Sequence, residues 1–370
     1  MRPTKPQTSI LNIPKAFWDK AAANKSPFLQ YDFFYALEKS QSIGAGSGWL
    51  PLYFIDESEN SIFYSFVKSH SYGEYIFDWQ WANAYKENGV EYYPKLTSMI
   101  PFTPITTTHF LMPDFKQDSA LNLLNSYHDF YKTYQFSSSH LLFLNEGEIP
   151  FLKNQGYLIR ESMQYHFINN GFNNFEDYLQ KMKGRKAKQV RKERIFPDLE
   201  IHQFTGNDLT PMHAETMYQF YLSTIDQKNA IDYLKKDFFL LVFDTMKENI
   251  LYVQASNGTE AIAGSLFFYD SDKLYGRYWG SHVEVENLHF ELCYYQGIEF
   301  CIQKKLNVFE AGAQGEHKIS RGFRPTKTYS AHQLKNEQFH MGISRYIAEE
   351  KVVLEESIKE LSLQLPFKEV

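Results

Sequence analysis

Between residues 274 and 311 the chain spells a strand, a helix and a strand in close succession. Leu274 to Gly280 (LYGRYWG) reads as a strand that ends at a glycine. Leu288, Leu292, Tyr295, Ile298 and Ile302 then fall on one stripe of a helix that runs to Leu306, and Val308 to Ala311 forms a second strand. A helix with a single apolar stripe must bury it, and a sheet is what lies on either side of it. This block therefore commits the chain to an α/β (α+β) class.

The same alternation runs through the rest of the sequence. A helix from Phe28 to Lys39 and a glycine-rich turn from Ile43 to Gly48 precede strands at Leu50 to Ile55 and Ser61 to Lys68. Helices at Trp79 to Gly89 and Asn122 to Phe136 and strands at Leu141 to Asn145 and Gly156 to Ile168 follow. At Asn169-Asn170-Gly171 the pattern resets, and Asn174 caps a new helix with Asp177 at its third position. Strands at Leu199 to Phe204, Ile250 to Ala255 and Ala261 to Tyr269 are separated by helical stretches, and a last helix runs from Gly342 to about Leu363. With 370 residues the chain exceeds one ordinary domain. The reset places a boundary near residue 170, giving domains 1–170 and 171–370 of similar element content.

Composition removes several classes. Hydrophobic residues make up 43% and aromatic ones 17%, enough for substantial cores and too much for a disordered chain. The N-terminus has no apolar h-region and no stretch approaches the roughly 20 apolar residues of a spanning helix, so a cytoplasmic setting is expected. Cys293 and Cys301 share one helix, about 12 Å apart at 1.5 Å per residue, too far for a disulfide. No His/Cys spacing completes a zinc site, so no metal is expected.

The net charge is −6, yet KMKGRKAKQVRKER from Lys181 to Arg194 is strongly basic. Spacings of 4, 3 and 4 put Lys181, Arg185, Lys188 and Lys192 on one helical face, with Arg191 beside them. A solvated face looks like this, and so does an anion site. The run lacks interleaved aromatics and carries no nucleic-acid-binding signature, so a phosphate-bearing molecule or an acidic headgroup fits as well as RNA.

After Val308 the chain passes Glu310, Gln314, Glu316, His317, Lys318 and Arg321 around a glycine-bearing turn. Such a turn brings main-chain N–H groups close to a ligand, and the cluster can deprotonate an amine and hold a carboxylate or phosphate. Glu310, Glu316 and His317 are the catalytic candidates. Arg185, Lys188, Arg191, Arg277, Trp279, His289, Glu291, Gln314, Lys318 and Arg321 are the binding candidates. A surface loop held by ion pairs is the competing account. In the first half, Lys68, His70 and Lys95 stand among aromatics, Asp78 and Tyr93 read as scaffold, and Pro101 to Pro104 reads as a rigid connector.

RKAKQVRKER, LYGRYWG, LHFELCYYQGIE, FEAGAQGEHKISRGFRP and TYSAH, together with SYGEYIFDWQWA, YYPKL and PFTP upstream, resemble the FemAB-like N-acyltransferases over nearly the whole chain. The resemblance implies two tandem GNAT-like domains, each a central mixed sheet flanked by helices, and transfer of an acyl or aminoacyl group to an amine. The donor it implies is small or carrier-linked, an acyl-CoA as co-substrate or an aminoacyl-tRNA, with no tightly bound cofactor. The chain has no R/Q-x-x-G-x-G/A loop at the expected junction and no long charged helical pair, so neither donor is favoured over the other. A non-catalytic module that recognises a peptidoglycan precursor is the alternative function. The oligomeric state is left open.

Overall fold

In the computed structural model, which describes residues 5–312 and 315–368, strands and helices alternate as the apolar periodicity requires, giving a mixed α/β protein. One unit takes the chain up to Ser162 together with Lys327–Glu356; the other takes Met163–Thr326 and the residues from Ser357 onward. The single cut near residue 170 read from the sequence is thus replaced by cuts after 162, 326 and 356. The segment that returns to the first unit holds most of the last helix, Glu337–Leu363, and most of a strand, Arg324–Leu334, that apolar alternation does not reveal. Its buried positions include Thr328, Ser330 and His332, which are polar.

In the first unit, β1 (Trp49–Asp56), β2 (Ser61–Lys68), β3 (Lys95–Ser98), β5 (Ser138–Leu142) and β12 (Arg324–Leu334) lie in that order, with the short β4 (Phe110–Leu111) on β2. β3 and β5 are parallel and the other pairs antiparallel. The helix Gln117–Thr133 sets Leu123, Leu124 and Tyr127 against Phe54, Phe63 and Leu141. Each such buried side chain contributes roughly 1.5–3 kcal/mol. Past the parallel pair the chain turns inward: Met99, Ile100, Phe102 and Ile105 are all buried, and Thr107 bridges Leu144. The segment read as a connector, Pro101 to Pro104, is therefore part of a core plug that closes the end of this strand pair.

In the second unit the order is β6 (Leu158–Ile168), β11 (Val308–Glu310), β10 (Lys273–Ser281), β9 (Glu260–Tyr269), β8 (Ile250–Asn257) and β7 (Glu200–Thr205). Only β10 and β11 are parallel. The crossover between them is a helix over residues 288–304, and its predicted stripe packs on Phe267, Leu274 and Phe309. Gly297 lets Phe309 close in; a Cβ there would stand 2.6 Å from the ring. The helix Pro211–Lys228 packs against β10 at Gly280, where an added Cβ would fall 1.6 Å from the Phe220 carbonyl oxygen.

The basic run is not one helix. Asn174 accepts from the Asp177 N–H as expected, but that helix is Phe175–Lys181, and a new one, Gly184–Glu193, starts after a break. Backbone hydrogen bonds from Lys183 N–H to Pro366 and from Lys368 N–H to Lys181 hold the break open, with Met182 bridging Phe367. Lys181 therefore does not share a helical face with Arg185, Lys188 and Lys192. Among the described residues no helix is long and apolar enough to cross a membrane.

Candidate active site

β10 and β11 run side by side from Lys273/Val308 to Tyr275/Glu310 and then part. β11 stops at Glu310, whereas β10 continues to Ser281 on β9 alone, with a bulge between Gly276 and Tyr278. A crevice at the carboxyl ends of parallel strands is where α/β sheets place ligands. In the first unit the corresponding end is plugged by residues 99–105. In the second it is bordered by polar and aromatic side chains.

Those side chains come from three places. β10 brings Arg277 and Trp279. The first turns of the crossover helix bring His289, Cys293 and Tyr294, with a π turn over Glu291–Tyr295 in which the Leu292 carbonyl accepts from Ser265 Oγ at 2.8 Å. π turns inside helices are frequent at functional sites. The 3₁₀ helix Glu316–Arg321 brings His317 and Lys318. With three residues per turn it points Lys318 and Arg321 the same way, and both are buried. Gly322 ends it at φ 79°, where a Cβ would meet the Tyr178 hydroxyl and the Phe367 ring.

The rings form a continuous wall. His289 meets Trp279 edge-on at 5.2 Å and Tyr294 at 5.3 Å, and the Tyr294 hydroxyl is 2.8 Å from His317 Nε2. Lys318 Nζ donates to the Gly312 carbonyl at 2.9 Å and lies 6.0 Å from the Tyr294 ring. Burial, reinforced by Arg277, pushes the Lys318 amine down to about 7. Burial and neighbouring cations, Lys228 and Arg321 among them, push His289 down to about 4, and burial lowers His317 as well. Burial pushes the Cys293 thiol up, although Lys318 and Lys228 oppose it. Cations thus dominate the field in this crevice, and the thiol is held in its unreactive form.

Not all the sequence candidates meet here. Arg277, Trp279, His289, His317 and Lys318 do. Glu310 does not: Phe309 faces the crossover helix, so Glu310 turns to the other face of the sheet, where Lys273 pairs with it at 2.9 Å and His166 lies opposite. Glu316 is exposed at the start of the 3₁₀ helix. Arg321 and Glu291 are spent internally. Arg321 pairs with Glu193 at 2.9 Å and stacks over Phe290 at 3.4 Å, and Tyr295 also donates to Glu193. Glu291 receives Arg194 at 2.9 Å. Arg191 pairs with Glu176, whereas Arg185 and Lys188 are exposed. Gln314 lies outside the described residues. Tyr294, Cys293 and Lys228 were not anticipated: nothing in a single sequence separates Tyr294 from the other aromatics of its helix.

The first-unit residues form a network of their own. Lys95 Nζ donates to Ser71 at 2.7 Å, to Glu74 at 2.8 Å and to Asp78, which also accepts from Tyr92 at 2.5 Å. His140 and His332, opposite each other on β5 and β12, join through their Nδ1 atoms at 2.8 Å. Lys68 sits 3.5 Å over the Trp49 ring with its amine pushed down to about 6 by burial.

Two units of like sheet order, each a mixed sheet flanked by helices, define a tandem mixed α/β protein. The chain belongs to the FemAB-like family, described as peptidoglycan biosynthesis/recognition, whose model matches residues 9–369. A search of curated proteins by sequence gives no match. Among solved structures it is similar to the C-terminal domain of a putative lysylphosphatidylglycerol synthetase from Agrobacterium fabrum (TM-score 0.55, 7% identity, 89% of this chain and 94% of that one). It is also similar to L-PGS from Bacillus licheniformis (0.54, 8%, 94% and 99%) and to FemX (0.53, 10%, 92% and 99%). At these identities the likeness is one of fold.

Proposed function

We propose that the chain is an N-acyl- or aminoacyltransferase that uses the β10/β11 crevice, with Lys318 as its base. The observation that carries this reading is a buried lysine, poised near neutrality, at the end of a split parallel strand pair. A base works best when its pKa lies near the working pH. Lys318 meets that condition, while His289 is too weak a base and Glu310 faces away. In the reaction, the acceptor ammonium gives a proton to Lys318 Nζ and the freed amine attacks the carbonyl carbon of the donor. The new C–N bond forms, the C–S or C–O bond to the carrier breaks, and the proton lost by the nitrogen goes to the departing thiolate or alkoxide. Main-chain N–H groups of β10 beyond Tyr275, where its pairing with β11 ends, are suited to hold the oxyanion.

The donor is an acyl-CoA or an aminoacyl-tRNA, and the cationic field of Arg277, Lys228 and Lys318 suits the phosphates of either. The family description and the named neighbours support a cell-wall or lipid amine as the class of acceptor to try first. The test is product detection by mass spectrometry with each donor against a panel of peptidoglycan precursors and aminoacylatable lipids. Lys318→Met should abolish product while leaving the melting temperature near that of the parent. Unchanged turnover in that variant would remove Lys318 from the chemistry. Tight precursor binding with no product from any donor would make the chain a recognition module.

A further inference from the structure

The cations around the helix break face solvent, and none of them has an acidic partner among the described residues. Lys181, Lys183, Arg185, Lys188, Lys192 and Lys368 are all exposed, and among the described residues none is in an ion pair. Helical spacing gathers Arg185, Lys188 and Lys192, and the fold adds Lys181, Lys183 and Lys368. The terminal segment 366–368 is hydrogen-bonded to 181–183, which brings Lys368 beside Lys181, and Lys368 Nζ donates to the Gln180 carbonyl. In a chain of net charge −6 this is a local reversal of sign.

Apolar side chains flank the patch at both ends. Leu363 is 84% exposed and Ile195 68% exposed, the two highest values for large apolar residues among those described. Ile195 follows the basic helix directly. Leu363 ends the C-terminal helix, three residues before the segment that clasps the helix break. Exposed acids nearby are Asp198 and Glu286, which line one hollow with Lys192 and Ile195, and Glu360, one turn before Leu363; Glu176 is taken up by Arg191.

We infer that this face docks on an anionic lipid bilayer, with the cations at phosphate headgroups and Leu363 and Ile195 entering the interface. Cations that gather at an acidic leaflet, bordered by aliphatic side chains that insert, make the signature of a peripheral membrane contact. Single-stranded RNA would instead call for exposed aromatic platforms among the cations, whereas the aromatics beside them, Phe196 and Phe367, are partly buried and packed against the core. The inference stands apart from the proposed reaction, since no patch residue borders the crevice.

The test is co-sedimentation of the full chain with vesicles of phosphatidylcholine alone or with phosphatidylglycerol added. Binding should require the anionic lipid and fall as salt rises. Each cation near such a surface accounts for about a fivefold change in partitioning, so R185E/K188E should lose at least about 25-fold. Leu363→Asp with Ile195→Asp should weaken vesicle binding while the melting temperature stays unchanged, because both side chains are exposed. Three results would overturn the inference: no preference for anionic vesicles, vesicle binding indifferent to the aliphatic pair, or RNA binding that depends on Arg185 and Lys188 without any vesicle binding.

Discussion

Lys318 Nζ donates to the carbonyl of Gly312 at 2.9 Å, so the 3₁₀ helix is tied to the segment leaving β11 by the same amine that is proposed as base. That contact uses one of the amine's protons and leaves its lone pair available whenever the group is neutral. Burial sets the titration near 7. The proposed rate should therefore rise with pH up to about 7 and level off above it, because only the free amine takes a proton. Lys318→Arg keeps the charge and cannot lose it, so it should fail as thoroughly as Lys318→Met, by about 10²- to 10⁴-fold in kcat. A pH–rate profile of the parent, set beside single-pH rates of both variants, checks this. A flat profile between pH 6 and 8 would count against it.

Glu193 and Arg321 form the second relationship that matters, and its consequence is stability. Arg321 is buried with Glu193, Phe290 and the His317 carbonyl as its surroundings. Glu193→Ala leaves that guanidinium without a counter-charge, which should cost about 3–5 kcal/mol. Replacing both residues, Glu193→Gln with Arg321→Met, should cost less than Glu193→Ala alone, since no charge is then stranded. Urea denaturation midpoints of the variants measure the difference.

What the sequence disclosed follows from how each residue reports its surroundings. The crossover helix was legible because five apolar residues mark one stripe, and the same five pack on the sheet. β12 was hidden because Ser330 and His332 are buried through hydrogen bonds to each other and to His140, which no apolar alternation records. The helix break at Met182 was hidden because it is stabilised by residues 366–368, nearly two hundred positions away. In the site, Lys318 and His317 stood out by chemistry. The partners that remove Glu291 and Arg321 from it, Arg194 and Glu193, lay within the basic run itself, and only the fold shows that these two point inward.

Lys68 gives a pH signature in the first unit. Its amine is pushed down to about 6 from an ordinary value of 10.5, mainly by burial. Between those two pH values the unfolded chain binds a proton that the folded chain does not, so stability from this group rises with pH across the window. The slope is at most about 1.4 kcal/mol per pH unit. Lys68→Met removes the titration and keeps much of the packing on Trp49. It should raise the denaturation midpoint at pH 7 and flatten its climb between pH 7 and 9. A parent midpoint that does not move over that range would contradict the assignment.

Gly280 connects the two sides of the candidate site. A Cβ at this position would stand 1.6 Å from the Phe220 carbonyl oxygen, and the obstacle is backbone, which cannot rotate aside. The helix carrying Phe220 also carries Lys228 at its end, and its Thr224 donates to the Trp279 carbonyl at 2.6 Å. Gly280→Ala must therefore displace that helix from β10, at a cost of about 1–3 kcal/mol, as overpacking typically demands. The displacement also draws Lys228 away from His289, so the His289 imidazole should titrate higher than in the parent. Thermal melting gives the first effect, and the histidine Cε1–H resonance followed against pH gives the second. Full stability in Gly280→Ala would mean that the helix can retreat from β10 without loss, which the contact at Phe220 does not allow.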